Sequence, residues 1–394
     1  MKYIKYVIAI FSVFLFSIGL KSTTLVDTYK QGDILIQTDP EFGKGVEWKN
    51  YLYDIAKEME IGPDGSIYIT NIRQNNISKF SSDGQFIKKF GQGSQGQLNS
   101  YGPGGLSILD NKYLVVSNYP DHIRLVDIEN TDTQPAKVLK TEHNVWGCTA
   151  LKNNKIAYIC RRFINLSNGD KKRVTDVIIK DTLTGKENHV ARYELNYRCR
   201  SRQAEMFVDD LPHLFWNVFI ERTKDGNLII GASDRSNIDI FSPEGEKINS
   251  FTLDYQPINV THELHDEIME KLTHSMKSTT PEGKKRVAEF EKAMSGAELL
   301  SDHLPYYTYL RVDSEGNILV FQNQNCIRNC ETLFRVYSPE GQYICSTKFN
   351  MGQFKYDLFI RLKQIVFTGN GIFGLFNLKD TENGNLQLVK TKLR

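Results

Sequence analysis

A unit of two short apolar strands joined by a tight polar turn recurs six times, and this repeat constrains the fold more than any other feature. The copies are MEIGPDGSIYITN (59–71), LSILDNKYLVVSN (106–118), CTALKNNKIAYIC (148–160), IERTKDGNLIIGA (220–232), LRVDSEGNILVFQ (310–322) and IVFTGNGIFGLFN (365–377). The turn positions hold residues that tolerate positive φ or occur in hairpin loops, namely Gly65, Lys112, Asn154, Gly226, Gly316 and Gly371. Each copy therefore predicts a β-hairpin.

A second hairpin follows the first in most copies. ISKFSSDGQFIKKF, IDIFSPEGEKINSF and FRVYSPEGQYICST share a turn closed by Asp-Gly or Glu-Gly, and VIIKDTLTGKENHV is a looser version. Two hairpins give a four-stranded antiparallel meander of about 45 to 60 residues, and a ring of such blades is a β-propeller. The predicted fold class is all-β, a six-bladed propeller. GDILIQT (32–38) is expected to pair with the C-terminal strand and so complete the sixth blade.

The first copy and its exit carry a more specific signal. The stretch IGPDGSIYITNIRQNNISKFSSDGQFIKKFGQGSQGQLNSYGPGGL (61–106) resembles the NHL repeat, whose pattern includes P-D-G, I-Y-V, N-x-I, K-F, D-G, F-G and G-x-G. The other five copies share only the general strand and turn pattern. The resemblance implies a six-bladed propeller of the kind found in exported bacterial proteins.

The N-terminus, MKYIKYVIAIFSVFLFSIGLKSTT, has the layout of a secretory signal. Lys2 and Lys5 precede an apolar run from Val7 to Leu20, which is shorter than the roughly 20 residues that span a bilayer. We predict a signal peptide at 1–22 and a propeller at 23–394, exported to the periplasm or the extracellular space. The alternative is an uncleaved N-terminal membrane anchor, which would be the chain's only contact with a membrane.

Charge and cysteine content limit the classes of partner. Removing the three lysines of residues 1–22 from the 49 basic residues leaves 46, against 47 acidic residues. A nearly neutral exported chain is not a general polyanion binder, so no nucleic acid partner is predicted. We also predict no cofactor and a monomer. Six cysteines in an exported chain suit disulfides, and Cys326 and Cys330 in NCIRNC form the best local pair.

Propeller geometry separates two faces. In a four-stranded blade the first-to-second and third-to-fourth turns lie on one face, here the plain face, and all other connections lie on the opposite, loop-rich face. Long insertions are predicted on the loop-rich face at 161–175, 196–213 and 255–304. In the last of these, apolar residues at helical spacing predict two helices between blades 4 and 5. These helices either seal an apolar gap or cover the channel mouth.

Basic residues of the loop-rich face are the main candidates for ligand binding. They are Arg161, Arg162, Lys171, Lys172 and Arg173 in one loop and Arg198, Arg200 and Arg202 in the next connection. Such a group suits a carboxylate, a phosphate or an acidic glycan, and a solvated loop is the alternative. His143 and His213 precede first strands near the channel mouth and are further candidates, with a structural role as the alternative.

Alignment of the first strands identifies one position with unusual charges. It holds Glu60, Ser107, Thr149, Glu221, Arg311 and Val366. Because Glu221 and Arg311 lie on adjacent blades and their charges should be buried, we predict a structural ion pair between them. His262 and His265 share a predicted helix face, but they do not form the metalloprotease motif H-E-x-x-H, and no metal site is predicted.

Two functions are compatible with these features. The first is an exported binding or interaction protein with a ligand or protein site on the loop-rich face, without catalytic residues. The second is a metal-dependent hydrolase or lyase in the central channel, because related six-bladed propellers include lactonases and an amidating lyase. Against the second, the lactonase motif E-G-P has only a displaced counterpart in MEIGP, and no N-G pair matches. His143 and His213 alone lie near positions where the lyases place histidines.

Overall fold

Six small sheets follow one another along the chain, one for each copy of the repeat. The computed structural model describes residues 24–35, 37–51, 56–71, 75–91, 103–118, 122–129, 137–142, 144–165, 167, 171–197, 216–276, 284–285, 287–288, 302–323, 332–350, 365–377 and 386–391. The first described elements are helix α1 (Leu25–Tyr29), strand β1 (Asp33–Leu35) and a 3-10 turn (Trp48–Asn50).

Within each blade, consecutive strands pair in sequence order, as the repeat predicts, and the sheet of blade 5 gains β1 as one further strand. Blade 1 is β2 (Ala56–Ile61), β3 (Ile67–Asn71), β4 (Asn76–Phe80) and β5 (Phe86–Phe90), and blade 2 is β6 (Pro103–Leu109), β7 (Tyr113–Asn118), β8 (His122–Asp127) and β9 (Lys137–Lys140). Blade 3 is β10 (Val145–Ala150), β11 (Lys155–Asn165), β12 (Lys171–Asp181) and β13 (Glu187–Tyr197), and blade 4 is β14 (Val218–Arg222), β15 (Leu228–Ala232), β16 (Asn237–Phe241) and β17 (Lys247–Thr252). Blade 5 is β18 (Tyr307–Val312), β19 (Ile318–Gln322), β20 (Thr332–Tyr337) and β21 (Tyr343–Asn350), and blade 6 is β22 (Ile365–Thr368), β23 (Gly371–Asn377) and β24 (Leu386–Thr391).

The first strands of the blades line the axis of a closed ring. Strand β2 contacts β6 of blade 2 on one side and β22 of blade 6 on the other, so the first and last blades are neighbours. Apolar side chains fill the seams between blades, as Val177 of blade 3 and Ile230 of blade 4 do in one shared cluster. Burial of each such side chain stabilises the fold by about 1.5–3 kcal/mol. The six-bladed β-propeller predicted from the repeat is confirmed.

Turn residues explain why the strands reverse where they do. Gly65, Gly226 and Gly316 have φ of 79°, 78° and 99°, a region that glycine enters without steric cost. In blade 2 the positive φ falls on Asp110 and Asn111, just before the predicted turn position Lys112. Asn and Asp tolerate this conformation better than Lys, which accounts for the shift.

The predicted closure of blade 6 by GDILIQT is wrong for β1. This strand pairs in parallel with β21, with Asp33 opposite Lys348, and becomes a fifth strand of blade 5. The chain reaches blade 6 just after β1, through a bridge between Thr38 and Thr391 and a 2.8 Å hydrogen bond from the Asp39 backbone N–H to the Lys390 carbonyl. The cause is α1, since Tyr29 packs in the aromatic core of blades 5 and 6 and thereby holds β1 beside β21.

The insertion after blade 4 begins with the predicted helix. Helix α2 (His262–Met276) buries Leu264 and Ile268 in the apolar cluster shared by blades 3 and 4. These contacts favour a seal over this seam, one of the two roles considered from the sequence. Most of the second predicted helix lies outside the described residues. Within the described part of the chain, no helix has the length and apolar character needed to cross a membrane.

The segment predicted as a basic loop at 161–175 is instead a long β-hairpin. Strands β11 and β12 continue beyond the blade, from Arg161 opposite Thr175 to Asn165 opposite Lys171. Apolar residues Phe163 and Ile164 extend the strand pattern here, and β13 covers the far side of β12. The prediction of a loop here is therefore wrong. The backbone N–H and C=O groups of this segment bond across the two strands, whereas in a loop they would bond to solvent.

Candidate functional site

A cavity of about 1300 Å³ runs along the propeller axis and is lined by the first strands of all six blades. One end reaches the turns of the plain face, and the opposite end reaches Trp146, Arg161 and Gln322 on the loop-rich side. Ligand pockets in proteins are typically about 300–1,000 Å³, so this space is large enough for a small molecule.

Five charged side chains of the first strands project into or border this cavity, and together they form what we call the axial charge belt. Its members are Glu58, Glu60, Glu221, Arg222 and Arg311. Close packing alone would favour apolar side chains here, because a buried charge loses hydration energy. The belt therefore sets the chemistry of the cavity.

The ion pair predicted between blades 4 and 5 is present in the belt. Arg311 Nη1 lies 3.2 Å from Glu221 Oε1, and the two side chains are only 13% and 17% exposed. The Arg311 guanidinium also lies over the Tyr309 ring, 5.4 Å from its centroid. Burial lowers the pKa of Arg311, but Tyr309, Glu221, Glu60 and Glu58 together outweigh it and leave the pKa raised. Arg311 is thus held in its charged form.

Arg222 crosses the axis. It leaves the end of β14 in blade 4, and its Nη2 lies 3.6 Å from Glu60 Oε1 in blade 1, the blade opposite in a ring of six. Its Nη1 donates a hydrogen bond of 2.8 Å to the carbonyl of Ile108 in blade 2. One side chain therefore bridges three blades and obstructs the channel at this depth.

The two glutamates of β2 complete the belt. Burial, together with Glu58, raises the pKa of Glu60, although Arg222 and Arg311 act in the opposite direction. The Glu58 carboxylate accepts a hydrogen bond from the backbone N–H of Leu106, which fixes it against blade 2. The belt thus brings three carboxylates and two guanidinium groups together.

The loop-rich end of the cavity contains one of the predicted basic residues. Arg161 lies over the Trp146 ring, 5.5 Å from its centroid, and both residues line the cavity. Trp146 is the second residue of β10, the first strand of blade 3, and Arg161 follows Cys160, which pairs with Val145 of that strand. A planar guanidinium stacked on an indole presents its edge to the cavity.

Three further basic candidates are engaged within the protein. Arg162 Nη2 lies 3.3 Å from Asp176, and Lys172 pairs with Glu194. Arg173 is fully buried and donates to the Trp216 carbonyl and, at 3.1 Å, to Asn217 Oδ1. Five more ligand candidates and both cysteines of the predicted local pair lie outside the described residues: Arg198, Arg200, Arg202, His143, His213, Cys326 and Cys330.

The described residues contain no group of three or more His, Cys, Asp or Glu side chains placed to hold a metal ion. His262 and His265 lie on α2 near Asp266, at 3.8 Å and 3.3 Å from its carboxylate. The side chain of His262 is 87% exposed, as expected for a solvated helix face.

The plain-face mouth is a feature that the sequence reasoning missed. Its rim carries six acidic residues and three basic ones: Asp39, Glu41, Asp64, Asp83, Asp110, Asp225, Lys152, Lys224 and Lys390. In the sequence these aspartates read as ordinary turn residues. A signal was available for Asp64, Asp110, Lys152, Lys224 and Asp225, because the first turns of the blades converge around one axis and their charges act together there.

Comparisons with known proteins concern the fold. No protein-family model matches this sequence, and no curated protein matches it. Similar solved structures include a DUF4221 family member from Bacteroides vulgatus, with 10% identity, a TM-score of 0.48, and coverage of 91% of this chain and 95% of that chain. A Bacteroides fragilis protein named as exported has 11% identity and a TM-score of 0.44, covering 92% and 99%. A catalytically inactive virginiamycin B lyase from Staphylococcus aureus has 13% identity and a TM-score of 0.39, covering 85% and 84%.

Proposed function

We propose that this protein is an exported binding protein that holds a polar ligand in its axial cavity. The axial charge belt is the observation that supports this most. Removing five charged groups from bulk water costs free energy that an apolar axis would avoid. Convergent polar groups inside a cavity with aromatic walls are, in contrast, the usual composition of a small-molecule site.

Export is proposed from the signal layout of residues 1–22 and from the NHL-like first blade. An interaction with a ligand or partner on the loop-rich face was the expectation from the basic residues there. Because Arg162, Lys172 and Arg173 are engaged and Arg161 reaches the cavity, we place the site in the cavity instead of on the surface of the hairpin.

A metal-dependent hydrolase or lyase is the other function considered from the sequence. Among the residues that the structure describes, no group of metal ligands supports it, and His143 and His213 lie outside them. We therefore propose binding alone.

The test is a thermal-shift screen of residues 23–394 against amino acids, polyamines, dicarboxylates, sugar acids and oligosaccharides. Each compound that raises Tm is then measured by calorimetry with wild type, Glu60→Gln, Glu221→Gln and Glu340→Gln. Glu340 is a matched control, because it lies in an exposed turn of blade 5 outside the cavity lining. We expect the two belt variants to weaken binding at least about ten-fold, or 1.4 kcal/mol, and the control to leave it unchanged. Compounds that bind all four proteins equally would contradict the proposal.

A further inference from the structure

We propose that the axial cavity binds an organic cation at Glu60, and that the Arg222 guanidinium occupies this cation site when no ligand is present. This inference rests on the proposed function, because it names the ligand class of the same cavity. Arg222 then acts as an internal competitor that a ligand must displace.

The Arg222–Glu60 ion pair is longer and more exposed than the Arg311–Glu221 ion pair. Exchange of Arg222 for a ligand requires such a loose contact. The distance of 3.6 Å between Arg222 Nη2 and Glu60 Oε1 is longer than the 2.7–2.9 Å of a charge-assisted hydrogen bond. The side chains of Arg222 and Glu60 are 34% and 21% exposed, more than those of Arg311 and Glu221. The Glu60 carboxylate is thus accessible from the cavity, and its contact with Arg222 is loose.

Arg222 has a second attachment that survives the exchange. Its Nη1 hydrogen bond to the Ile108 carbonyl is 2.8 Å long and does not involve Glu60. An incoming ammonium or guanidinium group can therefore take the Glu60 carboxylate while Arg222 stays bound to blade 2. The cost of displacement is one weak ion pair, which the ligand's own contact with Glu60 replaces.

The charge of the cavity favours a cation over an anion. The belt has three carboxylates and two guanidinium groups, so one negative charge is left over. Over the whole described lining, ten acidic side chains stand against six basic ones. A bound cation compensates this excess, whereas an anion adds to it, and the acidic plain-face mouth attracts cations toward the opening.

The lining also indicates an organic cation instead of a metal ion. Trp146, Tyr309 and Phe373 give the cavity aromatic surface, which suits the hydrocarbon part of an amine. The volume of about 1300 Å³ far exceeds that of a single ion. Within the described chain, the carboxylates do not form a three-ligand group for a metal.

Calorimetry with agmatine and spermidine as cationic probes, and succinate as the anionic probe, tests this inference on residues 23–394 at low salt. We expect both cations to bind the wild type and Glu60→Gln to weaken them at least about ten-fold. Arg222→Met removes the internal competitor and should tighten both cations about three-fold or more. Arg235→Met is the control, because Arg235 also pairs with a carboxylate, that of Asp234, outside the cavity lining.

Circular dichroism checks that each variant is folded. If the methionine variant does not fold, Arg222→Lys takes its place. The lysine side chain is shorter and has one terminal nitrogen, so it cannot keep both contacts of Arg222, and cation binding should again become tighter. Unchanged or weaker cation binding by a folded Arg222 variant would overturn the inference. Binding of succinate without binding of the cations would also overturn the inference, although the proposed function would then stand. If neither these probes nor any compound of the wider screen binds, both proposals fail.

Discussion

At the scale of single residues, the distinctive feature is charge on the strands that line the propeller axis. Glu221 and Arg311 compensate each other across a blade seam, and Arg222 reaches Glu60 across the axis. Removing one member of such a pair leaves its partner buried without compensation, which costs more than the pair itself contributes. The belt should therefore respond strongly to single substitutions.

We predict that Arg311→Met destabilises the fold by about 2 kcal/mol. This is less than the usual cost of breaking a fully buried ion pair, because the cavity admits some water. Arg311→Met combined with Glu221→Met should recover most of that loss, because no unpaired charge remains. The control is Lys44→Met, whose partner pair Lys44–Glu41 is 71% and 70% exposed and should cost less than about 0.5 kcal/mol. Urea denaturation measures all three, and equal effects of Arg311→Met and Lys44→Met would contradict the burial argument.

The titration of Glu60 gives a pH-dependent prediction. Burial, aided by Glu58, raises its folded-state pKa above the ordinary 4.5, against the influence of Arg222 and Arg311. A carboxyl group with a raised folded-state pKa stabilises the fold at low pH, and this contribution is lost as pH rises from 4.5 through the raised pKa. Glu60→Gln removes the titration, so the variant should gain stability relative to wild type as the pH rises above 4.5. Urea denaturation midpoints of both proteins, measured at a series of pH values, test this prediction. A stability difference that does not change with pH would show that Glu60 titrates normally.

At the scale of elements, the N-terminal segment holds the seam between the last two blades. Leu25 and Tyr29 of α1 are fully buried, and the Tyr29 hydroxyl donates a 3.1 Å hydrogen bond to Asp313 in the first turn of blade 5. The backbone N–H of Leu25 donates to Glu315 at 2.8 Å in the same turn. Helix α1 thus positions β1 against β21, and the segment after it ties blade 5 to blade 6 at Thr38.

This role predicts a large effect for a small helix. Leu25→Ala should destabilise the protein by about 3 kcal/mol, because it leaves a cavity in a packed seam. Leu183→Ala is the matched control, since Leu183 is 70% exposed in a turn of blade 3 and should change stability by less than about 0.5 kcal/mol. Chemical denaturation compares the two, and similar small effects would mean that α1 is not part of the cooperative fold.

At the scale of the whole molecule, sequence reasoning identified the repeat, the ring and one ion pair of the belt. It missed Arg222 and Glu58, which do not share the aligned position of the other first-strand charges. Strand β2 has an irregular register between Ala56 and Met59, which changes the local alternation around Glu58. The partners of Arg222 lie in blades far away in sequence, and only ring closure brings them across the axis. The pairing of β1 was missed because packing of Tyr29, and not the pattern of a three-residue strand, decides it.

A crystal structure of the protein with the tightest compound from the ligand screen shows where the ligand binds. We expect ligand density inside the axial cavity, in contact with Glu60 and within reach of Trp146 at its loop-rich end. Density on the outer surface of the blades or on the β11–β12 hairpin, with the axial cavity empty, would contradict it.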